Sequence, residues 1–306
     1  MPKILYQDKN FRQSTLKVIE IANQIISDYQ AQGFDLTLRQ LYYQMVSRDI
    51  IPNNQREYDK LGVIISDARL AGLIDWYTIV DRTRNLAALS HWDSPSDILR
   101  GVEYSYRLDK WEWQEYRPEV WIEKDALRGV ITGICQELDV PHFSCRGYTS
   151  QSEMWRAGQR MIKHMEGSQI PFIIHLGDHD PSGIDMSRDI FERLEMFVDG
   201  TEGSDFFVKR IALNYNQVEQ YTPPPNPAKL TDSRVDNYIA KFGMESWELD
   251  ALEPNVIVEL IRNQILSIRD DTLWNEVAKQ EESEKEELRQ IRQRYSEIRQ
   301  FLSNGK

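Results

Sequence analysis

The residues best suited to chemistry lie in Gly177-Asp178-His179-Asp180-Pro181-Ser182-Gly183, which follows the apolar run Phe172-Ile173-Ile174-His175-Leu176. A short apolar run closed by turn residues reads as a buried strand. Asp178 and Asp180, two apart, point the same way if the extended geometry persists. Two carboxylates held together repel and resist desolvation unless a cation neutralises them. Oxygen ligands suit a hard ion, and Mg2+ is usually held by one or two carboxylates together with phosphates. Asp, Pro, Ser and Gly are also the commonest turn formers, so these seven residues alone fit a plain turn equally well. His175, inside the strand, is expected to be a satisfied core residue. His179, between the two Asp residues, is expected to point away from their side chains.

A second strand end shifts the balance. Val120-Trp121-Ile122 is another apolar run, followed by Glu123-Lys124-Asp125 and a helix-like Ala126-Leu127-Arg128. Ligands of open α/β sheets collect outside the carboxyl ends of the strands. If the two strands are neighbours, Glu123, Asp178 and Asp180 converge, and phosphoryl chemistry on a metal is the expectation. Together these residues resemble the Toprim domain of topoisomerases, primases and related nucleases, which carries a Glu after one strand and Asp-x-Asp after a later one. The stretch continues to Ile184-Asp185 and looks most like the A subunit of topoisomerase VI and the related meiotic break-forming protein. Gly147-Tyr148-Thr149-Ser150, between the two motifs, resembles that group too, and Arg156 and Arg160 loosely match its Arg-bearing helix. The resemblance implies Mg2+, with Mn2+ as the substitute ion, on Glu123, Asp178 and Asp180.

Thr37-Leu38-Arg39-Gln40-Leu41-Tyr42-Tyr43 resembles the Arg-x-x-Tyr-Tyr signature of the same subunit, whose second Tyr attacks DNA. Thr37 is a plausible N-cap, and Leu38, Leu41, Tyr42 and Met45 recur at helical spacing. Arg39 and Tyr43 then share one helical face. A phenol with a pKa near 10 needs a base or nearby positive charge to act as a nucleophile; Arg39 could instead orient the scissile phosphate. Alone, a Tyr pair on an amphipathic helix reads as core or interface. With the downstream motif, Tyr43 is the expected nucleophile and Tyr42 a packing residue. In the family the Tyr of one protomer works with the metal site of the other, which implies a homodimer.

The chain has 306 residues, enough for two ordinary cores, and a formal net charge of −12. That charge is unusual for a DNA binder. Residues 1–100 hold 12 acidic and 12 basic side chains and the tail from Glu276 holds seven of each, so the excess lies in 101–275. Carboxylate clusters repel DNA until cations bind, so binding is expected to depend on Mg2+. Cys135 and Cys145 read as structural thiols in a reducing compartment. No stretch reaches transmembrane length. A cytoplasmic, nucleoid-associated protein with no membrane partner is the expectation.

The expected fold is α/β with an α-rich N-terminal part. A helical, winged-helix-like domain spans 1–100, with helices at 11–33, 39–47 and 58–71 and a strand or wing over 73–80. Arg56, Arg69, Arg82 and Arg84 are its DNA-binding candidates. A connecting segment, 101–116, carries Tyr104, Tyr106, Trp111 and Trp113. A Toprim-like domain, Rossmann-like with a mostly parallel sheet, spans 117–272. Within it, Tyr221-Thr222-Pro223-Pro224-Pro225-Asn226-Pro227 reads as an extended spacer. Glu248 and Asp250 read as a helix cap or solvated face, with an addition to the acidic site as the alternative. A charged C-terminal helix occupies 273–306, with Leu288, Ile291, Tyr295, Ile298 and Leu302 on one seam. The expected activity is Mg2+-dependent DNA cleavage and religation by a tyrosine, like a type IIB topoisomerase A subunit. No Gly-rich phosphate loop is present, so ATP-driven strand passage would need a separate ATPase subunit. The alternatives are a Toprim nuclease using activated water and a non-catalytic DNA-binding regulator.

Overall fold

The computed structural model describes residues 3–80, 89–199, 205–228, 232 and 234–304. Its elements run α1 (Gln13–Ala31), α2 (Leu38–Ser47), α3 (Gln55–Leu70), α4 (Pro95–Ser105), β1 (Tyr116–Ile122), α5 (Arg128–Glu137), β2 (His142–Ser144), α6 (Gln151–Glu166) and β3 (Ile170–Leu176). They continue with α7 (Pro181–Val198), β4 (Phe207–Ala212), α8 (Tyr215–Tyr221), β5 (Asn226–Pro227), α9 (Val235–Phe242), β6 (Glu245–Ser246), α10 (Pro254–Leu266), α11 (Asp271–Gln293) and α12 (Tyr295–Asn304). Two compact units emerge: Met1–Arg84 with Pro118–Ser267, and Asn85–Arg117 with Ile268–Lys306.

In the first unit, α1, α2 and α3 share one core around Ile25, Leu41, Met45 and Leu61. Helix α2 begins as its sequence dictates. Thr37 Oγ1 accepts from the Gln40 amide at 3.2 Å, and Gln40 Oε1 accepts from the Thr37 amide at 2.9 Å. This reciprocal cap satisfies two orphan donors and contributes about 1 kcal/mol. Gln40 through Val46 are all buried, so α2 is the centre of this core rather than a surface helix. The expected strand over 73–80 does not form. Those residues turn, and Ile79 makes only an isolated parallel bridge to Leu36. Asp75 explains the local preference, because its side chain accepts from the Tyr77 amide at 2.9 Å and bends the chain back.

The sheet is four-stranded and parallel throughout, in the order β2-β1-β3-β4. Helices α6 and α7 cover one face, where Met154, Met161, Ile190 and Leu194 meet Trp121 and Ile173. Alternation sends Val120 and Ile122 to the other face, on the side of α5 and α10. From β1 the chain passes to β2 on one side, and β3 lies on the other. Glu123 and Asp178 therefore follow neighbouring strands at the point where strand order reverses, the usual ligand crevice of such sheets. The polyproline stretch ends in β5, which pairs antiparallel with β6 rather than remaining a free spacer.

In the second unit α4 packs on α11, and Trp111 is buried with its ring 5.7 Å from that of Trp274. Glu281 on α11 ties this unit together. It accepts from Lys110 Nζ at 2.7 Å, from Lys285 Nζ at 2.5 Å and from the Leu108 amide at 3.0 Å. Burial opposes its ionisation, but these donors hold its pKa down to about 2. A folded-state pKa below the unfolded one adds stability above the unfolded value, near 4.5, that is lost as pH falls towards 2. Thermal melts should show Glu281→Gln costing about 2 kcal/mol at pH 7, with the deficit vanishing by pH 2–3.

Candidate functional site

Four elements of the first unit supply the site: α2, the end of β1, the β3–α7 turn and the segment after β6. The turn is shaped by its own residues. Asp180 is extended and caps α7, its Oδ1 accepting from the Gly183 amide at 2.6 Å and from Ser182 Oγ at 3.0 Å. Pro181 fills the first helical position, where its missing N–H costs nothing. Gly183 is required by crowding, since a Cβ there would lie 2.3 Å from the Asp178 carbonyl oxygen.

The turn is also gripped from β4. Arg210 donates to the carbonyls of Gly183 at 2.9 Å, Gly177 at 2.8 Å, Asp178 at 2.6 Å and Leu213 at 3.1 Å. Burial draws its pKa down to about 10 against the pull of Glu123, Asp178 and Asp180. Removing this guanidinium takes a donor from four carbonyls, of which that of Gly177 keeps the Leu213 amide at 2.7 Å. Arg210→Met should therefore cost about 3 kcal/mol in denaturant melts.

Glu123 and Asp178 meet at the crevice, and Asp180 is near enough for its charge to act on Glu123. Glu123 Oε2 accepts from the Asp178 amide at 2.8 Å. Its pKa is raised by burial, with the Asp180 charge adding to that effect, so the two carboxylates sense one another. Asp178 is buried, its Oδ1 accepting from the Leu249 amide at 2.7 Å and its Oδ2 lying 3.0 Å from Lys124 Nζ. Burial, against the pull of Lys124, pushes the Asp178 pKa up to about 8. His179 points away as expected. It packs among the rings of Tyr215, Tyr238, Phe242 and Trp247, with Nδ1 2.8 Å from Tyr238 Oη. His175 is fully buried; its Nδ1 meets Ser187 Oγ at 2.8 Å, while Nε2 has no partner.

The donor set bears on the expected Mg2+. Among the described residues no three His, Cys, Asp or Glu side chains are grouped as ligands of one ion. Asp178 Oδ1 is engaged by the Leu249 amide and Oδ2 by Lys124, so Asp178 meets a fixed cation in this arrangement. Among the described residues, Glu123 Oε1 and Asp180 Oδ2 accept no hydrogen bond. Two carboxylates with phosphate oxygens fit the coordination habit of Mg2+; a closed three-carboxylate site does not.

The candidate tyrosine belongs to the same constellation. Arg39 Nη2 donates to Tyr43 Oη at 3.3 Å, and its guanidinium lies 5.5 Å from the Tyr43 ring centroid. The same nitrogen pairs with Glu248 Oε2, while Arg39 Nε donates to Asp250 Oδ2 at 3.1 Å. Lys124 Nζ pairs with Glu248 Oε2 and lies 2.9 Å from Asp250 Oδ1. One ionic network thus runs from Tyr43 through Arg39, Glu248, Asp250 and Lys124 to Asp178. Tyr43 is only 4% exposed. Burial raises its pKa, the charges of Asp250 and Glu248 add to this, and Arg39 opposes them. Tyr42 packs as expected, edge-on to Tyr43 and Tyr58, with its hydroxyl 3.0 Å from Asn53 Oδ1.

The other candidates lie elsewhere. Arg56 is exposed on the first turn of α3. Arg69 donates to the carbonyls of Trp76 and Ile79 and stacks on the Trp76 ring, so it holds the 73–80 turn. Arg82 and Arg84 lie outside the described residues. Arg160 forks onto Glu119 and Arg156 pairs with Glu153, so neither joins the network. Tyr148 donates to Asp185 at 2.8 Å, beside Arg234. Cys135 and Cys145 are buried thiols whose pKa values burial pushes up to about 12. Sequence reasoning missed Lys124 and Arg210 and treated Glu248 and Asp250 as peripheral. A lysine directly after a strand-end glutamate was the available signal; the others had none.

No family model matches the chain, and no curated protein matches it. What the fold defines is an α/β protein with a parallel sheet whose switch-point crevice is lined by carboxylates. Among the described residues no helix is long and apolar enough to cross a membrane.

Proposed function

We propose that this protein cleaves and rejoins DNA by tyrosine transesterification, in the manner of a type IIB topoisomerase A subunit, with Mg2+ as cofactor. The observation that carries the reading is the single network joining Arg39 and Tyr43 to Lys124 and Asp178. A candidate nucleophile and a carboxylate crevice, read from motifs far apart in the sequence, share the same few side chains. In the step itself the Tyr43 oxygen bonds to phosphorus and the P–O3′ bond breaks. The Tyr43 proton passes to the departing 3′-hydroxyl, leaving a 5′-phosphotyrosyl link, and resealing is the reverse. Arg39 orients the phosphate and stabilises its charge. Glu123 and Asp180 would hold Mg2+, which supplies further charge neutralisation at the phosphate. Asp178 keeps Lys124 at the edge of the crevice.

The proposed DNA grip is winged-helix-like, built on α1–α3 with Arg56 on its surface. A homodimer with the tyrosine acting on the partner's site follows from the family resemblance. Within one chain, however, Arg39 already reaches the network of Lys124, so dimerisation is not needed to bring them together. A separate ATPase subunit is proposed on the same resemblance.

A second reading, metal-assisted hydrolysis by water, is favoured by one observation: Tyr43 is buried and its pKa raised, which makes it a reluctant nucleophile. Incubation with labelled duplex in Mg2+, followed by denaturation, separates the two. Covalent protein–DNA adducts are the expected result, and cleavage without adducts refutes transesterification.

A further inference from the structure

Glu248 differs from the other carboxylates of the network in what it touches and how it is held. Its Oε2 is shared by Arg39 Nη2 and Lys124 Nζ, and that same Nη2 reaches the Tyr43 hydroxyl at 3.3 Å. Its Oε1 has a long contact, 3.4 Å, with Asn226 Nδ2. Asp250 is fully enclosed, at 0% side-chain exposure, whereas Glu248 is 24% and Arg39 45% exposed. The network is therefore anchored at its Asp250 end and open to solvent at its Glu248 end. The backbone beneath Glu248 is fixed independently. Trp247 and His179 exchange hydrogen bonds of 2.8 and 2.9 Å, and the Leu249 amide is held by Asp178. The Glu248 side chain can swing out by rotation alone, with that backbone unmoved.

A carboxylate and a phosphodiester carry the same charge and present two oxygens to donors. Guanidinium and ammonium groups bind either. An oxygen at the position of Glu248 Oε2 lies on both cations and shares a donor with the Tyr43 hydroxyl. We propose that the Arg39–Lys124 pair is a binding site for a DNA backbone phosphate, occupied in the free protein by the Glu248 carboxylate as a built-in stand-in. Incoming DNA displaces Glu248, and the acidic side chain screens the site from other anions until then. The identity of the phosphate as DNA rests on the transesterase reading; the pairing of the cations does not.

Fluorescence anisotropy with a labelled duplex in EDTA at fixed salt tests this directly. Glu248→Gln should bind about tenfold tighter than wild type, because the site no longer has to expel an anion. Glu259→Gln, which removes an exposed charge on α10, should change affinity by less than about twofold. Glu248→Gln/Lys124→Gln should lose the gain. Glu248→Asp, which keeps the charge but is too short to span both cations, should fall between wild type and Glu248→Gln, and it decides the matter if the Gln variant melts early. Unchanged affinity in both Glu248 variants overturns the proposal, as does a gain that survives Lys124→Gln. The transesterase reading fails separately, by the absence of Tyr43 adducts. A Lys124-dependent gain without adducts keeps the phosphate site and rejects the chemistry.

Discussion

Tyr43→Phe should abolish covalent protein–DNA adducts, a fall on the order of 10⁴-fold or more, while leaving the protein folded. The substitution removes one oxygen whose hydrogen bond to Arg39 Nη2 is long, at 3.3 Å. Arg39 keeps its other partners, Glu248 and Asp250, and the Tyr43 ring keeps its packing against Tyr42. Melting should shift by less than about 1 kcal/mol. Loss of adducts in a protein that melts normally isolates the hydroxyl as the nucleophile. The pH dependence is a second check. Burial raises the Tyr43 pKa above that of a free phenol. The phenolate fraction therefore grows at every step up to and beyond pH 9, so wild-type adduct formation should rise with pH over 7–9 without a plateau. A plateau near neutrality, or DNA cleavage that survives in Tyr43→Phe, points to activated water instead.

Lys124→Met should be the most damaging single substitution for stability, costing about 3–5 kcal/mol. Lys124 Nζ is the shared cation of Asp178, Glu248 and Asp250. Without it, two of these carboxylates, Asp178 and Asp250, stay buried beside one another, with Arg39 paired to Asp250 and Arg210 the cation nearest Asp178's backbone. The Asp178 pKa already stands at about 8 through burial, and losing Lys124 raises it further. A carboxylate whose folded pKa lies above its unfolded value stabilises the fold at low pH, and that contribution is lost as pH rises through the folded pKa. The deficit of Lys124→Met relative to wild type should therefore be larger at pH 8 than at pH 5. Thermal melts across that range read it out. Asp178→Asn in the same background should recover part of the loss at pH 8, because it removes a buried carboxyl that must take up a proton to stay in the fold. A deficit independent of pH would mean that lost packing of the lysine stem, not charge, is responsible.

The local pattern was legible wherever one element alone decided it. Thr37 and Gln40 announced the start of α2, and the apolar runs at 120–122 and 172–176 announced β1 and β3. Adjacency of those two strands, the condition for their carboxylates to meet, holds in the sheet. The wing at 73–80 failed because a β-like run cannot show whether a partner strand exists, and Asp75 and Arg69 stabilise a turn there instead. The same limit explains the aspartates. Their period-two spacing is real, but Asp180 turns to cap α7 and Asp178 turns to Lys124 and the Leu249 amide. Periodicity gives the side of the chain from which a carboxylate leaves, not the donor it meets.

By itself the sequence determined the α/β class, the strand ends that carry Glu123 and Asp178, and the pairing of Arg39 with Tyr43 on one turn of helix. These follow from interactions within about four residues, which sequence spacing encodes directly. Only the tertiary structure decided that Glu248 and Asp250, more than 200 residues beyond Arg39, would close on it. It likewise decided that Arg210 would hold the turn at Gly177–Gly183 and that Lys124 would become the common counter-ion. Each of these is a long-range choice among many surface charges of similar chemistry. Burial makes that choice, because inside the fold an unpaired charge costs far more than it does in water.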